Sequence, residues 1–362
     1  MDDERAMKKK KTVSAMRLKK ELSVSPSQTS ALLDDVKDLI LHARQATASA
    51  VNSALVCLYW QIGNRIHKET LGSKRAAYGE EILQTLSAEL VPAYGQGFGD
   101  RNLWQMVKFA RTFPDPKILQ TLSADLGWSH FVELLSVKDA LKREFYAEMC
   151  RIERWSIRTL KAKISGMLFE RTALSKKPNK LITRELKALR EKDKLSPDLV
   201  FRDPYFLDFL GLRDTYSERD LENAILVELQ QFILELGKGF AFIARQRRIV
   251  IDGKDYYIDL LFYHRGLRRL IAIELKLGAF QAADKGQMEL YLRWLEKYEM
   301  SAQEEPPLGL ILCEDKGTEQ IELLQLHKSG IRVSSYLTEL LPKKALQKKL
   351  RDAVRLARKE IE

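Results

Sequence analysis

The sequence predicts an α+β protein: a mostly α-helical N-terminal domain, then an α/β domain with a mixed central sheet flanked by helices. Three observations predict it. From Leu32 onward apolar residues recur at three- and four-residue steps, the rhythm of amphipathic helices. Beyond Pro204 come strand-length apolar runs: FAFIARQRRIVIDG, KDYYIDLLFYHRG, LRRLIAIELKLG and PPLGLILCED. Helical patterns precede these runs over 218–237 and follow them over 284–298. At 362 residues the chain is long enough for two domains with their own cores.

Residues 1–28 are polar, with four consecutive lysines at 8–11, and are expected to form a disordered basic arm. The helical domain is expected over 29–175. Its first helix carries Leu32, Val36, Leu39, Ile40 and Ala43, continues through Ala50, Ala54, Leu58 and Ile62, and is punctuated by Gly63 and Gly72. A second helix spans 79–92. The segment GQGFGDRNLWQMVKFARTFP then reads as a glycine turn, Asp100 as N-cap, and a helix from Arg101. Arg101, Asn102, Gln105 and Lys108 form its polar side, an arrangement resembling a helix-turn-helix recognition element, or else an ordinary amphipathic helix. Ser129 and Ser156 are candidate caps for the helices that follow. Pro197 and Pro204 mark a linker over 176–203, before the α/β domain at 204–341. A basic helix is expected over 342–362.

Lys and Arg number 61 against 50 Asp and Glu, a net +11, which favours a polyanionic partner, nucleic acid before membrane. Residues 138–195 hold 17 Lys and Arg against 8 Asp and Glu, enough for a phosphate-binding wall. No apolar run reaches the roughly 18–20 residues of a membrane span, and the N-terminus has no signal-peptide core. The three cysteines, Cys57, Cys150 and Cys313, form no CxxC pair, so neither a disulfide framework nor a cysteine zinc site is indicated. A reducing cytoplasm is the expected compartment, and no small-molecule cofactor is expected.

The chemistry concentrates in Tyr256–Leu277, two strands joined by a tight turn at His264–Leu267. Ile258, Leu260 and Phe262 are expected on one face of the first strand and Asp259 on the other. Ile271, Ile273, Leu275 and Leu277 share a face of the second, with Glu274 and Lys276 opposite. Pairing the strands brings Asp259 and Glu274 together, and two adjacent carboxylates repel unless a cation lies between them. Mg²⁺ suits such a site, with Mn²⁺ as substitute and the Leu275 carbonyl as a further ligand. Lys276 is placed to assist an attacking water. Glu222, on the preceding helix, is a candidate for a metal or its water, or simply complements the helix dipole. Gln287 and Tyr291 lie one turn apart on the following helix. Arg245, Arg247 and Arg248 offer phosphate contacts, or form a solvated strand edge.

This ordered set resembles the PD-(D/E)XK nuclease superfamily, with Ile258 where a proline usually precedes the Asp. The wider pattern, VFRDPYFLDFLGL, YSERDLENAIL and the IELK strand after ARQATASAVNSALVCLYWQIG and RNLWQMVKFARTFP, resembles the bacterial YhcG-type family over about residues 32–340. The resemblance implies a restriction-endonuclease-like C-terminal domain and a DNA-directed nuclease in a bacterial cell. The expectation is a Mg²⁺-dependent DNA endonuclease. The alternative is a catalytically silent nucleic-acid-binding regulator or adaptor, against which the intact Asp259, Glu274 and Lys276 count. Oligomeric state is open, a homodimer being compatible with cutting both strands of a duplex.

Overall fold

The computed structural model describes residues 26–71, 76–212, 215–316, 318–339 and 341–359. Of the arm expected over 1–28, residues 1–25 lie outside the described residues, as does Gly72; residues 26–28 already belong to the first helix. The chain divides into two compact units, Met1–Trp128 and Ser129–Glu362.

The first unit is helical: α1 (Pro26–Leu71), α2 (Ala76–Tyr94), α3 (Asp100–Thr112) and α4 (Pro116–Ser123). Tyr59 and Ile66 of α1, Leu83 of α2, and Leu103 and Met106 of α3 make its core. Gly63 does not interrupt α1. It is where α1 and α3 touch: a Cβ there would stand 1.9 Å from the Met106 carbonyl oxygen. The N-cap of α3 is Gly99 rather than Asp100, whose carboxylate instead accepts from the Arg101 N–H at 2.6 Å.

The second unit opens with α5 (Trp128–Leu134), whose first residue lies in the first unit, and continues with α6 (Ala140–Glu153) and α7 (Ile157–Ser165). The Ser156 side chain caps α7, whereas Ser129 lies inside α5. The stretch 176–203, read as a linker from its prolines, contains α8 (Asn179–Lys192). Ile182, Leu186 and Leu189 are its buried seam, and the dense charge around them hides that spacing in the sequence. Several of the cations over 138–195 are paired within the fold. Arg190 pairs with Glu144 at 2.5 Å and with fully buried Glu148 at 2.6 Å, and Arg151 also reaches Glu148. Lys142 pairs with Glu170, Lys176 with Asp203, and Lys177 with Asp198. These cations are therefore not a free phosphate wall.

The sheet has six strands: β1 (Tyr205–Phe206), β2 (Phe240–Ile251), β3 (Lys254–His264), β4 (Arg269–Leu275), β5 (Leu308–Cys313) and β6 (Ile331–Leu337), in spatial order β1-β6-β5-β4-β3-β2. β2, β3 and β4 run antiparallel in sequence; β4, β5 and β6 are parallel, as are β6 and β1. β5 is buried along its whole length, as expected of a strand covered on both faces. The helix expected over 218–237 is two, α9 (Glu218–Val227) and α10 (Leu229–Leu236), broken at Glu228. Leu221, Ile225, Phe232 and Leu236 of these helices pack on one face with Leu260, Phe262 and Ile273. α11 (Ala282–Tyr298) covers the other, with Met288, Tyr291 and Leu295 against Leu261 and Ala272. A basic helix, α12 (Lys343–Lys359), closes the described chain.

His264 ends β3 in the interior. Its Nδ1 accepts from the Leu267 N–H at 3.0 Å, and its ring meets Phe240 edge-on. Burial pushes its pKa down to about 4. An unfolded histidine titrates near 6.5. Between those values the unfolded chain holds a proton that the folded chain refuses, so stability falls as pH drops from about 6.5 to 4. The expected loss is about 3 kcal/mol relative to a His264→Asn variant, read from denaturation midpoints across that range.

Candidate active site

The β3–β4 register pairs Leu260 with Ile273, so the next step sets Asp259 opposite Glu274. The two residues are tied through backbone: the Asp259 N–H points to Glu274 Oε1 at 3.4 Å, and the Leu275 N–H donates to Asp259 Oδ2 at 2.9 Å. Lys276 follows β4, anchored by its N–H on the Leu312 carbonyl of β5 at 2.8 Å. Its ammonium lies 3.4 Å from Glu274 Oε2. The face shared by Ile271, Ile273, Leu275 and Leu277 is as expected. The face expected for β3 is not: Leu260 and Phe262 join the α9/α10 core, while Ile258 joins the core beneath α11. The alternation of β3 therefore changes phase at Asp259, because the facing strand is irregular there.

That irregularity positions a residue the sequence did not single out. β2 pairs Arg245 with Leu260 and Arg247 with Ile258, after a register shift between Phe242 and Ala244. Gln246 thus falls opposite Asp259, with φ at +43°. A non-glycine residue held there costs about 1–3 kcal/mol, a conformation typical of functional sites. The Gln246 Nε2 donates both to Asp259 Oδ1 at 3.0 Å and to Glu222 Oε2 at 2.9 Å. Glu222 projects from α9, whose start is fixed by a Ser217–Asp220 capping box. The signal that could have found Gln246 is its place across the hairpin from Asp259. The arginines around it drew attention instead.

The electrostatics follow from burial. Glu274 is pushed up to about 8 by burial and by the neighbouring Asp259, with Lys276 pulling the other way. Burial also raises Asp259, against the Leu275 and Gln246 hydrogen bonds, and raises Glu222. For Lys276 burial acts downward, but Glu274, Glu218 and Asp259 outweigh it and raise the pKa.

The other expected residues separate into groups. Gln287 donates to the Tyr291 hydroxyl at 2.7 Å, which donates to the Tyr257 carbonyl at 3.1 Å. This pair braces β3 two residues before Asp259. Arg247 is held by Glu299 at 2.5 Å and Arg248 by Asp255 at 2.8 Å, whereas the charge of Arg245 reaches Glu222. In the first unit, Asn102 supports the turn before α3: its amide donates to the Gly97 carbonyl at 2.5 Å and accepts from the Trp128 indole at 3.0 Å. That leaves Arg101, Gln105 and Lys108 on the polar side, with Lys108 over the ring of Trp104 at 5.3 Å.

Among the described residues no cluster of three His, Cys, Asp or Glu side chains forms a metal site. Two carboxylates, Asp259 and Glu274, stand together. Each of their oxygens carries one protein contact, and a carboxylate offers about four acceptor sites. Burial raises the pKa of both, and Asp259 adds to the rise at Glu274. This donor set fits one hard cation held by two carboxylates, a backbone carbonyl and water, with Glu222 joined to it through Gln246.

A mixed sheet between helices, carrying an Asp on one strand and E-x-K on the next, defines the PD-(D/E)XK class of nuclease. The family model described as the YhcG PDDEXK nuclease domain matches residues 198–351, and the DUF1016 N-terminal domain matches residues 35–171. The protein named "Putative nuclease YhcG" of Escherichia coli (strain K12) is 38% identical over 323 residues, spanning 80% of this chain and 85% of that one. The chain belongs to this YhcG nuclease family. Among solved structures, a repair endonuclease from Pyrococcus abyssi has 20% identity and a TM-score of 0.25 over 36% of this chain and 50% of that one. EndoMS in its apo form has 20% identity and a TM-score of 0.24, over 36% and 49%. No described helix is long and apolar enough to cross a membrane.

Proposed function

We propose that this chain is a metal-dependent endonuclease that hydrolyses phosphodiester bonds in DNA. The observation that carries the reading is the meeting of Asp259, Glu274 and Lys276 at one end of the β3–β4 pair. Asp259, Glu274 and the Leu275 carbonyl are the ligands assigned to Mg²⁺, with Mn²⁺ as substitute. The cation supplies Lewis acidity and a more acidic water. Lys276 donates a hydrogen bond to the attacking water and offsets charge on the phosphate oxygens. Glu222 accepts a proton or hydrogen bond from that water. Gln246 holds Glu222 and Asp259 in mutual register, and Gln287 and Tyr291 set the height of β3. Arg245 takes a flanking phosphate, and the first unit binds DNA through Arg101, Gln105 and Lys108.

The test is cleavage of supercoiled plasmid and branched DNA by the full chain. Nicking is expected with Mg²⁺ or Mn²⁺ and none with a chelator; absence of cutting under every condition overturns the reading. Gln246→Ala is expected to raise the metal concentration for half-maximal cleavage roughly 10- to 100-fold, the usual effect of losing a partner that orients ligands.

A further inference from the structure

The closing helix α12 gathers its charge on one side. Over 343–359 it holds eight Lys and Arg against a single acidic residue, Asp352. Lys344, Lys348, Arg351 and Arg355 follow one another at steps of four, three and four residues, so they share one flank. All four are exposed. Ala345, Lys349 and Ala353, also exposed, make up the other flank. The underside is committed to the second unit itself. Leu350 is 4% exposed, and the helix packs on the turns Leu168–Arg171 and Ala173–Lys176. Arg358 donates there to the Ser175 carbonyl at 2.8 Å and to Asn179 Oδ1 at 3.1 Å. The cationic flank borders a cleft that Arg351 lines together with exposed Lys138. Asp352 pairs with Arg355 at 3.2 Å, and among the described residues no carboxylate pairs with Lys344, Lys348 or Arg351. Like charges at these spacings repel, so the flank costs the helix stability until a partner supplies negative charge.

We infer that this flank of α12, continued by Lys138, is a contact surface for the phosphodiester backbone of DNA. The four cations span about 16 Å of helix at 1.5 Å per residue. That is too long for one small anion and suits a row of phosphates, since duplex DNA carries one negative charge per about 1.7 Å of its axis. An anionic membrane fits less well. A helix that lies on a lipid surface buries its apolar face there, and the apolar face of α12 is already buried in its own unit. Contacts of this kind hold phosphate without reading base edges, so the surface takes any sequence. The choice of DNA as the polyanion rests on the nuclease reading. To that reading the surface adds an element outside the residues assigned above.

The test is binding of a short fluorescent DNA duplex by the full chain, with a chelator present so that nothing is cut, over a range of salt concentrations. Lys344→Gln with Lys348→Gln is compared with Lys343→Gln with Lys349→Gln. Each pair removes two charges from exposed sites of the same helix. The first pair should weaken binding about 10-fold or more at about 0.1 M salt, and make the slope of log affinity against log salt shallower by about 2. The second pair should leave both unchanged. The unfolding midpoint of the first pair should stay level or rise, because a repulsion is relieved; weaker binding is then loss of contact and not of fold. Equal effects of the two pairs, no effect of the first, or a lowered midpoint with the first overturns the inference. So does a first pair that keeps its DNA binding but loses binding to mixed phosphatidylserine and phosphatidylcholine vesicles. A wild type that binds DNA with this dependence yet cuts none overturns the nuclease reading and leaves the contact surface standing.

Discussion

Asp259→Asn is expected to reduce DNA cleavage by about 10³-fold or more while leaving DNA binding intact. The substitution keeps size and an acceptor for the Leu275 N–H, now 2.9 Å from Asp259 Oδ2, but removes the charge that holds a cation. A factor of 10³ corresponds to roughly 4 kcal/mol of transition-state stabilisation, the scale of a lost charge-stabilising group in a closed site. Binding should be unchanged or slightly tighter, because a negative charge leaves a site that meets phosphate. Lys276→Met is expected to lose cleavage on a similar scale, but its binding should weaken slightly and become less salt-sensitive, since a cation is lost. Opposite shifts in binding with a shared loss of cutting separate a role in chemistry from a role in affinity. Equal binding by all three proteins with no cutting by any would favour a silent nucleic-acid-binding module.

The site was legible where chemistry contradicts its surroundings. Glu274 sits in a strand otherwise apolar from Leu270 to Leu275 and buried from Leu270 onward, so its charge demanded an explanation. Strand pairing then placed Asp259 beside it by arithmetic. Gln246 escaped because its role depends on a register shift in β2 and a left-handed backbone, neither of which has a composition. The phase change at Asp259 escaped for the same reason: period-2 reasoning assumes a regular partner strand. Charge totals misled over 138–195, since a count cannot tell a solvated lysine from one held by Glu170 or Asp198. Asn102 looked like a base reader by residue type, yet its amide is taken up by the turn that starts α3.

Two helical glycines show how far the same substitution can differ in sign. Alanine is the better helix former, by about 1 kcal/mol in an open helix interior. At Gly286, inside α11, an added Cβ meets nothing within 4 Å, so Gly286→Ala is expected to stabilise the protein by about 0.5–1 kcal/mol. At Gly63 the Cβ would meet the Met106 oxygen at 1.9 Å, its carbonyl carbon at 2.3 Å and the Val107 nitrogen at 2.9 Å. These are backbone atoms and cannot rotate aside. Relief requires α1 and α3 to move apart along the seam where Tyr59, Ile66, Leu103 and Met106 pack. Overpacking of this kind costs 1–3 kcal/mol even where side chains can yield, and here a helix must move. Gly63→Ala is therefore expected to destabilise the first unit by about 3 kcal/mol or more. Denaturant midpoints of the two variants should shift in opposite directions. A neutral Gly63→Ala would mean that the two helices do not approach as closely as backbone contact.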